Sequence, residues 1–64
     1  MEIYLEKEDR IIRKDFDGSG KLLLKMLKIT AESVIIVRND EVITEDVQLS
    51  NNDRIKILSV ISGG

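Results

Sequence analysis

Gly63-Gly64 stand one residue, Ser62, behind the apolar, strand-like run Ile55-Lys56-Ile57-Leu58-Ser59-Val60-Ile61. Glycine has no Cβ, so paired glycines make a tail slim enough to enter a narrow active site where other residues would clash. Such a tail holds a carboxylate out from a folded body, and the Gly64 carboxylate is the expected reactive group. The competing reading is an incidental end, because chain termini are often poorly ordered. The remaining residues offer no rival chemistry. The chain has no Cys and no His, so the strongest nucleophile and the commonest general base are both missing. With 64 residues it also has little depth in which to enclose a substrate and shift pKa values by burial. The pattern is that of a protein acted upon rather than an enzyme, and no catalytic residue is assigned.

Two other segments carry fragments of familiar chemistry. Asp15-Phe16-Asp17-Gly18-Ser19-Gly20 copies the first half of a calcium loop, but the closing bidentate Glu at the twelfth position is Met26, which cannot coordinate calcium. Gly18-Ser19-Gly20-Lys21 resembles part of a phosphate-binding loop. That loop needs a Gly where this chain has Asp15 and a Ser or Thr where it has Leu22. Neither motif is complete, so no metal or bound cofactor is expected, and the segment reads as a helix entrance.

Composition narrows the partners. Ten basic and twelve acidic residues leave a net charge of −2, which offers no broad positive field for nucleic acid. Tyr4 and Phe16 are the only aromatic residues, so stacking platforms for single strands are absent too. No apolar stretch approaches a membrane span and no signal-peptide pattern follows Met1. These features predict a cytoplasmic protein with no membrane or nucleic-acid contact. The hydrophobic content of 42% fits a folded globular chain. One domain is expected over residues 1–64, with the tail at 61–64.

The elements that must position the tail follow from periodicity. Met1, Ile3 and Leu5 alternate with Glu2, Tyr4 and Glu6, the period of a half-buried strand. Glu6 to Asp9 reads as a turn without the Gly or Asn of a tight hairpin, and Arg10 to Lys14 as a second strand. Asp17 to Gly20 breaks the pattern. Ser19 is placed to cap a helix of about ten residues whose core stripe is Leu23, Leu24 and Leu27, with Leu22 and Met26 widening the apolar face. Val34 to Val37 is β-branched and favours a strand. A turn at Asn39-Asp40 leads to a short strand, Glu41 to Ile43, and Thr44 to Asn52 reads as irregular with Val47 and Leu49 tucked inward. Arg54 to Val60 is the last strand. One helix among several strands predicts an α+β fold.

In the last strand, Ile55, Ile57 and Ser59 point one way, and Lys56, Leu58 and Val60 the other. The first set is expected to pack on the helix. With one helix available, the other sheet face stays open, and Tyr4, Leu58 and Val60 form a candidate partner-binding patch beside the tail. The alternative is that a loop covers them.

Three segments carry a family resemblance: Ser19 to Leu27 at the helix, Val37-Arg38-Asn39-Asp40-Glu41-Val42-Ile43 at the middle turn, and Asn51 to Gly64 at the end. Together they resemble the ThiS/MoaD family of ubiquitin-like sulfur carriers, in pattern most of all the ThiS-type carriers. The resemblance implies a β-grasp fold, a mixed sheet of four to five strands on one helix, with the first and last strands parallel in the middle. It implies a ThiF/MoeB-type adenylating enzyme as partner, using ATP to join the Gly64 carboxylate to AMP. A sulfur nucleophile would then leave a thiocarboxylate, with Ile61, Ser62, Gly63 and Gly64 entering the partner's active site. The sulfur would pass to a synthase of thiamine or molybdopterin formation or to a tRNA-thiolating enzyme. Two alternatives stay open: a ubiquitin-like modifier joined through Gly64 to target-protein lysines, and a passive β-grasp interaction module.

Overall fold

The computed structural model describes residues 1–60. Strand β1, Glu2–Leu5, buries Ile3 and Leu5, as the period of two requires. The chain then turns through a short 3-10 helix, Glu6–Glu8. Asp9 closes that turn with φ 48°, the left-handed conformation that Asp tolerates better than most residues. The Tyr4 hydroxyl donates to its Oδ1 at 2.9 Å, so a side-chain contact stands where a tight hairpin would use Gly or Asn. Strand β2, Arg10–Arg13, pairs antiparallel with β1, placing Ile12 opposite Ile3.

Strand β3, Gly18–Ser19, enters helix α1, Gly20–Met26. Ser19 caps the helix as its sequence predicts: its Oγ accepts from the Leu22 amide at 3.3 Å. The helix is shorter than its apolar stripe suggests. It ends in a Schellman motif, in which the Lys28 amide donates to Lys25 O at 3.1 Å and the Ile29 amide to Leu24 O at 2.9 Å. Lys28 takes φ 60° at the position that usually holds Gly. Leu23 and Leu24 are buried and Leu27 partly so. Leu22 and Met26, expected to widen the apolar face, are 54% and 41% exposed. Two turns of helix lying on a sheet bury a single stripe, and these two residues fall on its outer flank. Gly20 sits where the helix start meets the neighbouring loop. A Cβ there would lie 3.2 Å from both Glu45 O and Ile36 Cδ1, so the close approach calls for glycine.

A second 3-10 turn, Ala31–Ser33, leads to β4, Val34–Arg38, and β5, Glu41–Ile43. Asn39 and Asp40 join them with φ 49° and 70°, the type I′ geometry that matches strand twist. Strand β6, Gln48–Leu49, pairs with β3 in a separate two-stranded ladder. Sequence reading takes this stretch as irregular, and a two-residue ladder leaves no periodicity to detect. Leu49 is buried as expected, whereas Val47 is half-buried.

Strand β7, Arg54–Ser59, completes a five-stranded sheet in the order β2-β1-β7-β4-β5. It runs parallel to β1 and antiparallel to β4. Ile3, Leu5, Leu23, Leu24, Ile36, Leu49, Ile55 and Ile57 form the core between one sheet face and α1. The architecture is α+β, a mixed sheet with one helix on one side, as expected. Among the described residues no helix is long and apolar enough to cross a membrane.

Candidate functional site

The site is assembled from the sheet face that α1 leaves uncovered and from the end of β7. Pleating and register together decide which side chains share that face. Ile11 stands opposite Tyr4, Tyr4 opposite Lys56, Lys56 opposite Val37 and Val37 opposite Val42, giving one row across all five strands. Leu58 and Ile35 pair in the adjoining row, nearer the end of β7. Ile11 is 57% exposed, Ile35 39% and Val42 73%. The face is therefore an apolar band with Lys56 at its centre.

Of Tyr4, Leu58 and Val60, the residues expected to form the patch, the sheet places Tyr4 and Leu58 on one face. Tyr4 and Leu58 lie half-buried on adjacent strands of this face. Val60 follows the last strand residue and is 46% exposed. The band is wider than sequence reading anticipates, because Ile11, Ile35 and Val42 belong to it, while Val37 in the same row is buried. Part of a signal is present for Ile11 and Ile35. Val34-Ile35-Ile36-Val37 is apolar at every position, and Ile11-Ile12 are adjacent apolar residues, so each run must supply both faces of the sheet.

Charged residues border the same face. At the Arg54 end of β7, Glu2 lies between Arg13 and Arg54, with its carboxylate oxygens 3.3 Å from Arg13 Nη2 and 3.7 Å from Arg54 Nε. The Tyr4 hydroxyl is held above its ordinary pKa by its hydrogen bond to the Asp9 carboxylate. Near the Ser59 end the turn after β1 carries Glu6, Lys7, Glu8 and Asp9, and Arg10 stands opposite Leu5. Charges of both signs therefore stand at each end of the face.

The end of β7 is held on both flanks. The Ser59 amide donates to Glu6 Oε1 at 2.9 Å. The Val60 amide donates to Ser33 O at 3.1 Å. Ile61, Ser62, Gly63 and Gly64, the expected tail, lie outside the described residues. The segment resembling a calcium loop is otherwise engaged: Asp15 Oδ1 accepts from Asn51 Nδ2 at 3.3 Å, and the Phe16 amide donates to Asn51 Oδ1 at 3.0 Å. Among the described residues no cluster of three or more acidic side chains is placed to hold a metal.

The model of the ThiS family matches residues 5–64 of this chain, all but its first few residues. The chain belongs to the ThiS family. Its five-stranded mixed sheet and single helix form the β-grasp fold of that family. Members are small ubiquitin-like sulfur carriers rather than catalysts, and they work with adenylating enzymes and with enzymes that accept sulfur. No curated protein matches the sequence.

Proposed function

We propose that this ThiS-family chain carries sulfur on the carboxylate of Gly64 after activation by a ThiF/MoeB-type enzyme. A carboxylate with a reference pKa of about 3.3–3.7 is ionised at neutral pH. One of its oxygens attacks the α-phosphorus of ATP and pyrophosphate leaves, giving the acyl-adenylate. A hydrosulfide or an equivalent sulfur nucleophile adds to the acyl carbon and expels AMP, so a C–S bond replaces the C–O bond to phosphate. The product is a thiocarboxylate, which a sulfur-accepting synthase of thiamine or molybdopterin formation, or a tRNA-thiolating enzyme, would consume. ATP belongs to the partner, and this chain contributes the acyl group and the docking face.

The observation that carries the reading is the placement of β7. The family match runs through this central strand to Gly64, and β7 ends beside an uncovered apolar face that includes Tyr4, Leu58 and Ile35. Incubation with the activating enzyme, ATP and a sulfur source should exchange one oxygen for sulfur, read by intact-protein mass spectrometry. An unmodified mass beside an active enzyme overturns the proposal, as does full conversion of a chain lacking Gly64. Ile35→Glu places a charge at an exposed point of the apolar band. It should raise KM for the carrier about tenfold, the effect of losing roughly 1.4 kcal/mol of docking energy, with the melting temperature nearly unchanged.

A further inference from the structure

The hydrogen bonds at the end of β7 differ in kind on its two sides. Toward β4, the Val60 amide continues the antiparallel ladder by donating to Ser33 O at 3.1 Å. Toward β1 no backbone is available. The parallel register between β1 and β7 stops at Leu5 opposite Ile57, because the chain turns away into the 3-10 helix Glu6–Glu8. β7 runs two residues farther. Its Ser59 amide faces the gap, and there the Glu6 carboxylate takes the place of a strand, with Oε1 2.9 Å from the nitrogen. A carboxylate accepting from an amide makes a charge-assisted bond, shorter and stronger than a neutral one.

The geometry points to Glu6 as a positioning residue for activation, through the point at which β7 ends. This inference rests on the sulfur-carrier reading above. The Glu6 and Ser33 bonds grip successive amides on opposite flanks. Together they fix Ser59 and Val60 in the plane of the sheet, at the point from which the tail must start. An acyl group that must meet the α-phosphorus of ATP gains from a fixed starting point, because small misplacement of a reacting group lowers rate steeply. Glu6 touches neither ATP nor the reacting carbon in this account. It acts through Ser59.

The test compares wild type, Glu6→Ala and Glu6→Gln, whose side-chain carbonyl can still accept from Ser59. Pyrophosphate release by a ThiF/MoeB-type enzyme gives kcat and KM for each carrier, and amide hydrogen exchange reads Ser59 directly. Glu6→Ala should exchange faster at Ser59 and lower kcat about tenfold, a range set by the loss of one charge-assisted hydrogen bond, while KM stays within about twofold. Glu6→Gln should recover most of kcat. The inference is overturned if Glu6→Ala turns over like wild type, if Glu6→Gln is as poor as Glu6→Ala, or if the loss falls on KM, which would make Glu6 a docking contact. Absence of turnover with the wild-type chain overturns the carrier reading instead, and the exchange rate at Ser59 then still reports whether the carboxylate holds that amide.

Discussion

The two ends of β7 are secured by different means. At the Arg54 end, Asp53 is buried, and its carboxylate accepts from the Ser50 amide at 2.8 Å and from Asn39 Nδ2 at 3.1 Å. Arg38 Nε lies 3.0 Å from Oδ2 without an aligned hydrogen bond, so that contact is mainly electrostatic. Asn39 also clasps Arg54, accepting from its amide at 3.0 Å and donating its own amide to Arg54 O at 2.8 Å. At the Ser59 end there is one carboxylate from an exposed residue and one backbone carbonyl. Both carboxylate oxygens of Asp53 and both polar ends of the Asn39 side chain are hydrogen-bonded, with Arg38 Nε the one buried atom left to an ionic contact, and such a network holds one geometry. The entry of β7 therefore carries stability, whereas its exit fixes the start of the tail with a smaller share of it.

The largest test of that contrast is Asp53→Ala. It leaves the Ser50 amide and the Asn39 amide group without their acceptor and Arg38 without its counter-charge. Breaking a buried pair costs about 3–5 kcal/mol, and the partly exposed Arg38 side chain brings the expectation to about 2–3 kcal/mol. In a domain this small that lowers the melting temperature by about 15 °C. A loss below about 1 kcal/mol would refute the network's importance.

Acid should find the same site. The Asp53 pKa is lowered, first by the hydrogen bond from the Ser50 backbone, against desolvation that raises it, and then by Asn39 and Arg38. A depressed folded-state pKa means that the unfolded chain takes up the proton first as pH falls. The contribution of Asp53 is complete above the ordinary aspartate pKa and is lost as pH drops toward the folded value. Urea midpoints followed below about pH 4 should fall less in Asp53→Asn than in wild type. Parallel curves would contradict the assignment.

Asn39→Gly sharpens the comparison by keeping the left-handed turn and deleting only the side-chain clasp. A loss of about 1–2 kcal/mol is expected in chemical denaturation, and no loss would assign the effect to turn geometry alone. The smallest change belongs to the other end. Glu6→Ala should cost about 1 kcal/mol, the net worth of one hydrogen bond and less than the loss of the buried network. A loss near that of Asp53→Ala would erase the distinction between the two ends.

Legibility in the sequence follows the same division. β1, β4 and β7 are readable because alternation or β-branching repeats over several residues, and Ser19 announces the helix start through its own side chain. The helix end is not readable, since Lys28 occupies the left-handed position without the glycine that usually marks it. The turn after β1 is readable from its polar run, but its left-handed closure at Asp9 carries no glycine to mark it. Tyr4 and Leu58 come from pleating alone, the adjacent pair Ile11-Ile12 shows only that one of the two faces outward, and Val42 joins the open face only once strand order is known. The pairings of Asp53 with Asn39 and of Ser59 with Glu6 span 14 and 53 residues. Contacts that distant are set by topology and leave no local trace.

The parallel pairing of β1 with β7 has a mechanical consequence. Inter-strand bonds lie across the strands rather than along them. Traction applied beyond Val60, as when an enzyme draws the polypeptide into its cleft, runs along the axis of β7 and loads the ladders on both sides at once, in shear. The rungs then share the load, whereas a pull across the sheet would open them one at a time.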